Sequence, residues 1–122
     1  MPGMRGLTVL VATADAARFR AALSTVAAAA ALGARARVFL QEEAVTLMAG
    51  GADADAARLA AAGFPSQDEL LAIARESGAA LIVCQSGLAL AGLSMEALPA
   101  GTEAGGIVSV LATLGEDRLL AF

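Results

Sequence analysis

The chain has 122 residues, of which 58% are hydrophobic and 16% charged, and its formal net charge is −4. It contains no His, Lys, Trp, Tyr or Asn, which excludes a Ser-His-Asp triad or a Cys-His pair within one chain, a His-ligated zinc site, a P-loop lysine and a Schiff-base lysine. The acidic balance, with Phe as the sole aromatic residue type, also argues against a nucleic-acid partner.

An apolar run over residues 6–13 predicts a first strand that is buried on both faces, as in a parallel sheet. The alternative is a signal peptide, because Ala12-Thr13-Ala14 mimics a cleavage site, but the run is at the short limit for one. A helix is predicted over residues 16–32, with Thr13 or Asp15 as its N-cap.

A second strand is predicted over residues 37–40, with Arg35 and Arg37 facing solvent at its entry. Glu42 and Glu43 then suit the first turn of a helix, where negative charge is favourable. The residues that follow predict a short helix over residues 44–48, a loop over residues 50–55 and a brief helix over residues 56–62.

Ser66 and Glu69 have the spacing of a capping box, which predicts a third helix that ends at Gly78. Its apolar residues are expected to face inward: Leu70, Leu71, Ile73 and Ala74. Residues 80–84 follow as a buried strand that ends on the single cysteine, Cys84, and turns through Ser86-Gly87 into a short helix over residues 88–93.

Residues 107–114 have apolar positions at helical spacing, although their β-branching also permits a strand, and residues 118–122 predict a terminal strand. The uncharged stretch 77–95 is long enough for a membrane span, but its interior polar residues favour a buried strand, turn and helix. Alternating strands and helices predict an α/β fold, three-layer α/β/α, with a mostly parallel sheet of four to five strands. We expect one domain, residues 1–122, in a cytoplasmic protein without a membrane partner.

Three loops are expected to leave the same edge of this sheet, because the carboxyl ends of parallel strands lie together. Cys84 is the candidate nucleophile, and main-chain N–H groups at the start of the following helix can stabilise its thiolate or a persulfide. The candidate substrate-binding residues in the three loops are Thr13, Asp15, Gln41, Gln85, Ser86 and Gly87.

Each of these assignments has a structural alternative. Cys84 can be a small buried hydrophobic residue, which is a common fate of free cysteine. Asp15 can be a helix cap with no further role, and Glu42 and Glu43 can simply be favourable charges in the first turn of a helix. The negative charge of these residues would oppose a thiolate nearby. No metal site and no cofactor are predicted.

Several segments, in this order, resemble the DsrE/DsrF/DsrH-like sulfur-relay family, particularly its DsrE-like branch with a single cysteine. They are the opening strand with Thr13-Ala14-Asp15, the Ala-rich helix running into residues 31–39, Cys84-Gln85-Ser86 with Ala91-Gly92-Leu93, and Leu98-Pro99 through Gly106 to residues 118–122. The chain differs from the family at residues 40–43, Leu-Gln-Glu-Glu, where an aromatic-rich segment is expected.

The resemblance implies a three-layer α/β/α fold, trimers or hexamers, and sulfur transfer through a persulfide at the position of Cys84. The leading hypothesis is therefore a sulfur carrier, or sulfurtransferase-like subunit, that acts between sulfur donor and acceptor proteins. The alternative is a non-catalytic module that binds a small ligand or a protein and in which Cys84 is structural.

Overall fold

A computed structural model describes residues 4–50 and 54–122 of the chain. Part of the predicted loop over residues 50–55, and the first three residues of the signal-peptide alternative, lie outside the described residues. In chain order the elements are β1 (Leu7–Val11), α1 (Ala16–Ala31), β2 (Ala36–Leu40), a 3₁₀ helix (Glu42–Ala49), α2 (Ala56–Ala61), α3 (Gln67–Glu76), β3 (Ala80–Cys84), α4 (Gln85–Ala91), a second 3₁₀ helix (Met95–Ala97), β4 (Glu103–Gly105), α5 (Ile107–Ala112) and β5 (Arg118–Ala121).

The strands form a parallel five-stranded sheet in the order β4-β3-β2-β1-β5, which confirms the predicted α/β class and strand number. β1 to β4 are added successively in one direction, and β5 then returns to the far edge beside β1. Because such crossovers are right-handed, α5, which leads into β5, lies on the opposite face from the helices that precede it.

The two faces of the sheet are covered unequally. α1 contacts β1, β2 and α3, so α1 and α3 lie together on one face. On the other face the six-residue α5 contributes Val110 to the core. Phe19 on α1 and Phe39 on β2 are among the largest fully buried side chains, and they anchor the interior between the layers.

The helices α1 and α3 begin at the caps that local sequence signals predict. The Asp15 carboxylate accepts a hydrogen bond from the Arg18 amide at 2.9 Å and caps α1. The Ser66 hydroxyl and the Glu69 carboxylate form the reciprocal capping box of α3.

Two expectations about elements are wrong, and one strand was not predicted. Ile73 is 44% exposed rather than inward, because Leu70, Leu71 and Ala74 fill the buried stripe of α3. β4 was not predicted, since Glu-Ala-Gly carries no strand pattern; its pairing with β3 holds it as a short edge strand. α4 begins at residue 85, so no Ser-Gly turn separates β3 from the helix.

Arg37 is buried, and the prediction that it faces solvent is also wrong. Its guanidinium donates to the Thr8 hydroxyl at 2.9 Å, the Thr113 hydroxyl at 2.8 Å and the Val110 carbonyl at 3.1 Å. Burial lowers the pKa of Arg37, the neighbouring Arg35 charge lowers it further, and Asp117 opposes both effects. The side chain thus joins β1, β2 and α5.

Within residues 4–50 and 54–122, no helix has both the length and the apolar character needed to cross a bilayer.

Candidate functional site

The candidate site lies at the edge of the sheet where the parallel strands end. The loop after β1, the 3₁₀ helix after β2 and the start of α4 all leave this edge. β2 lies between β1 and β3, so Thr13 is separated from Cys84 by the end of β2, whereas Gln41 follows the strand that adjoins β3.

Cys84 occupies two structural roles at once, since it is the last residue of β3 and the N-cap of α4. Its Sγ accepts a hydrogen bond from the Gly87 amide, with an N-to-S distance of 3.4 Å. The residue is 8% exposed and belongs to the hydrophobic core. The sulfur therefore has a fixed main-chain donor and limited access to solvent.

Gly87 has a packing role that the sequence did not reveal. A Cβ atom at this position would overlap the Glu42 carbonyl oxygen and crowd the Val45 side chain. Glu42 itself has φ of 51°, a left-handed conformation that is uncommon for a residue with a side chain. The first turn of α4 thus packs directly on the backbone that follows β2, and this contact sets the position of the Gly87 amide.

The remaining predicted site residues differ in their burial and in their hydrogen-bond partners. The Thr13 hydroxyl oxygen is buried and has no hydrogen-bond partner among the described residues. Asp15 is exposed and engaged as the cap of α1. Gln41 is half-buried, and its main-chain N–H donates to the Val11 carbonyl at 2.9 Å. Gln85 and Ser86 are exposed in the first turn of α4.

A cavity of about 270 Å³ lies beside β3 and β4 on the face covered by α5. Cys84 does not line this cavity, but two of its neighbours do. Ile82 lies two residues before Cys84 on β3, and Gly105 is paired with Cys84 on β4. Its polar lining includes Arg37, Glu103, Ser109 and Thr113. In the part of the chain that the structure describes, no three His, Cys, Asp or Glu residues are placed to hold a metal ion.

Sequence reasoning missed the Glu42 carbonyl as the surface against which α4 packs. Neither a left-handed glutamate nor a close backbone approach leaves a pattern in the residues around it. The Ser-Gly dipeptide at residues 86–87 is the local signal for the close approach, although the same dipeptide is also typical of a turn.

The model of the DsrE/DsrF-like family matches residues 6–122 of the chain. The chain belongs to the DsrE/DsrF-like family. This family is related to sulfur relay, which supports the resemblance drawn from the sequence.

The fold has a counterpart among solved structures. The crystal structure of the ychN protein from E. coli matches with a TM-score of 0.70 and 21% sequence identity, over 98% of this chain and 100% of that chain. At this identity the likeness shows a common fold. No curated protein matches the chain.

Proposed function

We propose that the protein is a sulfur carrier, or sulfurtransferase-like subunit, that holds sulfane sulfur as a persulfide on Cys84. The observation that carries this proposal is the Gly87 amide donating to the Cys84 sulfur at the end of β3. A main-chain N–H stabilises a sulfur anion, and both a thiolate and a persulfide are anionic. Membership of the DsrE/DsrF-like family supports the same chemistry.

The transfer is a thiol–disulfide type of exchange. The Cys84 thiolate attacks the outer sulfur of a persulfide on a donor protein, the donor's S–S bond breaks, and the donor cysteine leaves as a thiolate. A thiolate of an acceptor protein then attacks the outer sulfur on Cys84 and releases the Cys84 thiolate. Each step forms one bond to sulfur and breaks another, so no external oxidant or reductant is needed.

In this proposal the neighbours of Cys84 have distinct roles. The Gly87 amide is the donor that holds the anion, and exposed Gln85 and Ser86 flank the approach to the sulfur. The half-buried Gln41 provides a polar group for a substrate at the same edge, whereas the Thr13 hydroxyl oxygen is buried and Asp15 is occupied as a helix cap.

The test is the intact mass of the protein after incubation with inorganic polysulfide. We expect the native protein to gain one sulfur atom per chain at Cys84, removable by a reducing thiol. The Cys84→Ser variant is the control, and equal labelling of that variant would show that Cys84 is not the carrier.

A second function is favoured by the burial of Cys84, which is 8% exposed within the core. In this case the protein is a non-catalytic module that binds a small ligand or a protein, and the cysteine serves packing. The same experiment separates the two: labelling that occurs only after unfolding in denaturant supports the module, and labelling of the native protein supports the carrier.

The proposal includes a homo-oligomer, a trimer or hexamer, that acts with donor and acceptor proteins in the cytoplasm. Support for self-association comes from large apolar side chains on the surface: Leu90, Val108, Leu111, Leu119 and Leu120. A single cysteine cannot form an internal disulfide, in keeping with a reducing compartment. The family match over residues 6–122 supports one domain.

A further inference from the structure

A second cavity, of about 370 Å³, lies on the helical side of the molecule. It is bounded by the exposed side of α1, by α2 and the segment that follows it, and by the start of α3. Most of its lining is apolar, with Leu59, Phe64, Pro65 and Leu70 as the large side chains. Its volume and lining are those of a small-molecule site, in which a few polar groups orient an apolar ligand.

Arg20 supplies the charge in this lining, and Ser24, one turn further along α1, supplies a hydroxyl. The Arg20 side chain is only 13% exposed, and its Nη2 lies 3.7 Å from Oδ2 of Asp55. Asp55 in turn lies 3.3 Å from Nη2 of Arg58. Arg20 thus places a cation at the wall of a largely apolar cavity, with Asp55 as a neighbouring carboxylate.

The wall formed by α2 is lightly packed. None of the six residues of α2 is buried, and Phe64 just after it is 62% exposed. These side chains therefore leave apolar surface in water that a bound hydrocarbon would cover, which favours binding of an apolar group.

We propose that this cavity binds a small organic acid, with its carboxylate on Arg20 and its apolar body against Leu59, Phe64 and Leu70. Arg is suited to this role because its guanidinium presents two parallel donors to a carboxylate. The site uses different residues from the Cys84 chemistry and does not depend on it.

The first experiment titrates straight-chain carboxylates from butyrate to octanoate, with octanol as the neutral match, and measures affinity by calorimetry. We expect affinity to rise about fourfold for each added methylene. Octanol should bind at least about tenfold more weakly than octanoate, because it lacks the charge that Arg20 recognises. Methyl NMR should place the perturbations at Leu59 and Leu70. Perturbations confined to other methyl groups, or equal binding of octanol, would overturn the assignment.

Three variants then separate recognition from packing. Arg20→Gln should weaken octanoate binding by about tenfold or more. Asp55→Asn removes the ion pair but keeps the cation, so it should leave the affinity unchanged or raise it. Ala21→Leu fills the cavity from the exposed side of α1 and should abolish binding while the melting temperature is kept. Full binding by Ala21→Leu, or equal losses in Arg20→Gln and Asp55→Asn, would show that the cavity is not the site.

Discussion

At the scale of single residues, the candidate site depends on the relation between a sulfur and one amide. Cys84 ends a strand and caps the helix that follows, so its sulfur lies beside the Gly87 amide without any intervening loop. That geometry requires residue 87 to have no side chain, because the Glu42 carbonyl occupies the space where a Cβ atom would lie. Gly87 is therefore a positioning residue for the sulfur.

Gly87→Ala should displace the first turn of α4 from the Glu42 backbone and lengthen the N–H···S contact. We expect a loss of roughly 1–3 kcal/mol in the free energy of unfolding, as for other overpacked sites. Persulfide formation at Cys84, followed by mass spectrometry, should also slow relative to the native protein.

Gly106→Ala is the matched control for this substitution. Gly106 is extended, with φ of −131°, and a Cβ atom there meets no atom within 4 Å. We expect native stability and native labelling from this control. If Gly87→Ala behaves in the same way as Gly106→Ala, the Glu42 contact does not position the sulfur.

At the scale of elements, a buried ionic cluster joins the end of the chain to the first two strands. The Asp117 carboxylate, 7% exposed, accepts a hydrogen bond from the Thr8 hydroxyl at 2.8 Å and lies 3.2 Å from Arg35 Nε and 3.8 Å from Arg37 Nε. Gly6 permits this arrangement, since a Cβ atom there would overlap the carboxylate. The cluster helps to hold β5 beside β1, since all four residues of β5 are exposed and contribute little to the core.

Asp117→Asn should destabilise the fold by about 3 kcal/mol, because it leaves the buried Arg37 guanidinium without its opposing charge. Urea unfolding of the variant and the native protein measures the difference. The adjacent Glu116→Gln also removes one carboxylate, but from an exposed position, and should change stability by less than about 0.5 kcal/mol. Equal effects of the two substitutions would show that net charge, rather than the cluster, accounts for the change.

At the scale of the whole molecule, several large apolar side chains are exposed on the surface instead of packing in the core. Val108 is 79% exposed and Leu111 is 48% exposed on α5, the short helix that contributes to covering one face of the sheet. Such exposure favours association of copies through apolar surface.

The proposed oligomer predicts a defined solution mass, which light scattering after size exclusion measures directly. Val108→Asp should shift the protein toward the monomer, because a charge would be buried in the contact. Ala28→Asp adds the same charge to an exposed position of α1 and should leave the number of chains in the oligomer unchanged. A monomeric native protein would overturn the proposed oligomer.

The sequence by itself determined the order and type of most elements, the caps of α1 and α3, and the place of Cys84 at the end of a buried strand. These features follow from side-chain periodicity and from hydrogen bonds between residues a few positions apart, so neighbouring residues suffice to predict them.

Tertiary structure alone decided the rest: β4 as a strand, the burial of Arg37, the Gly87–Glu42 contact, and both cavities. Each of these depends on segments far apart in the chain. An arginine is buried only where distant oxygens satisfy its N–H groups, and a three-residue strand is stable only where a neighbouring strand pairs with it.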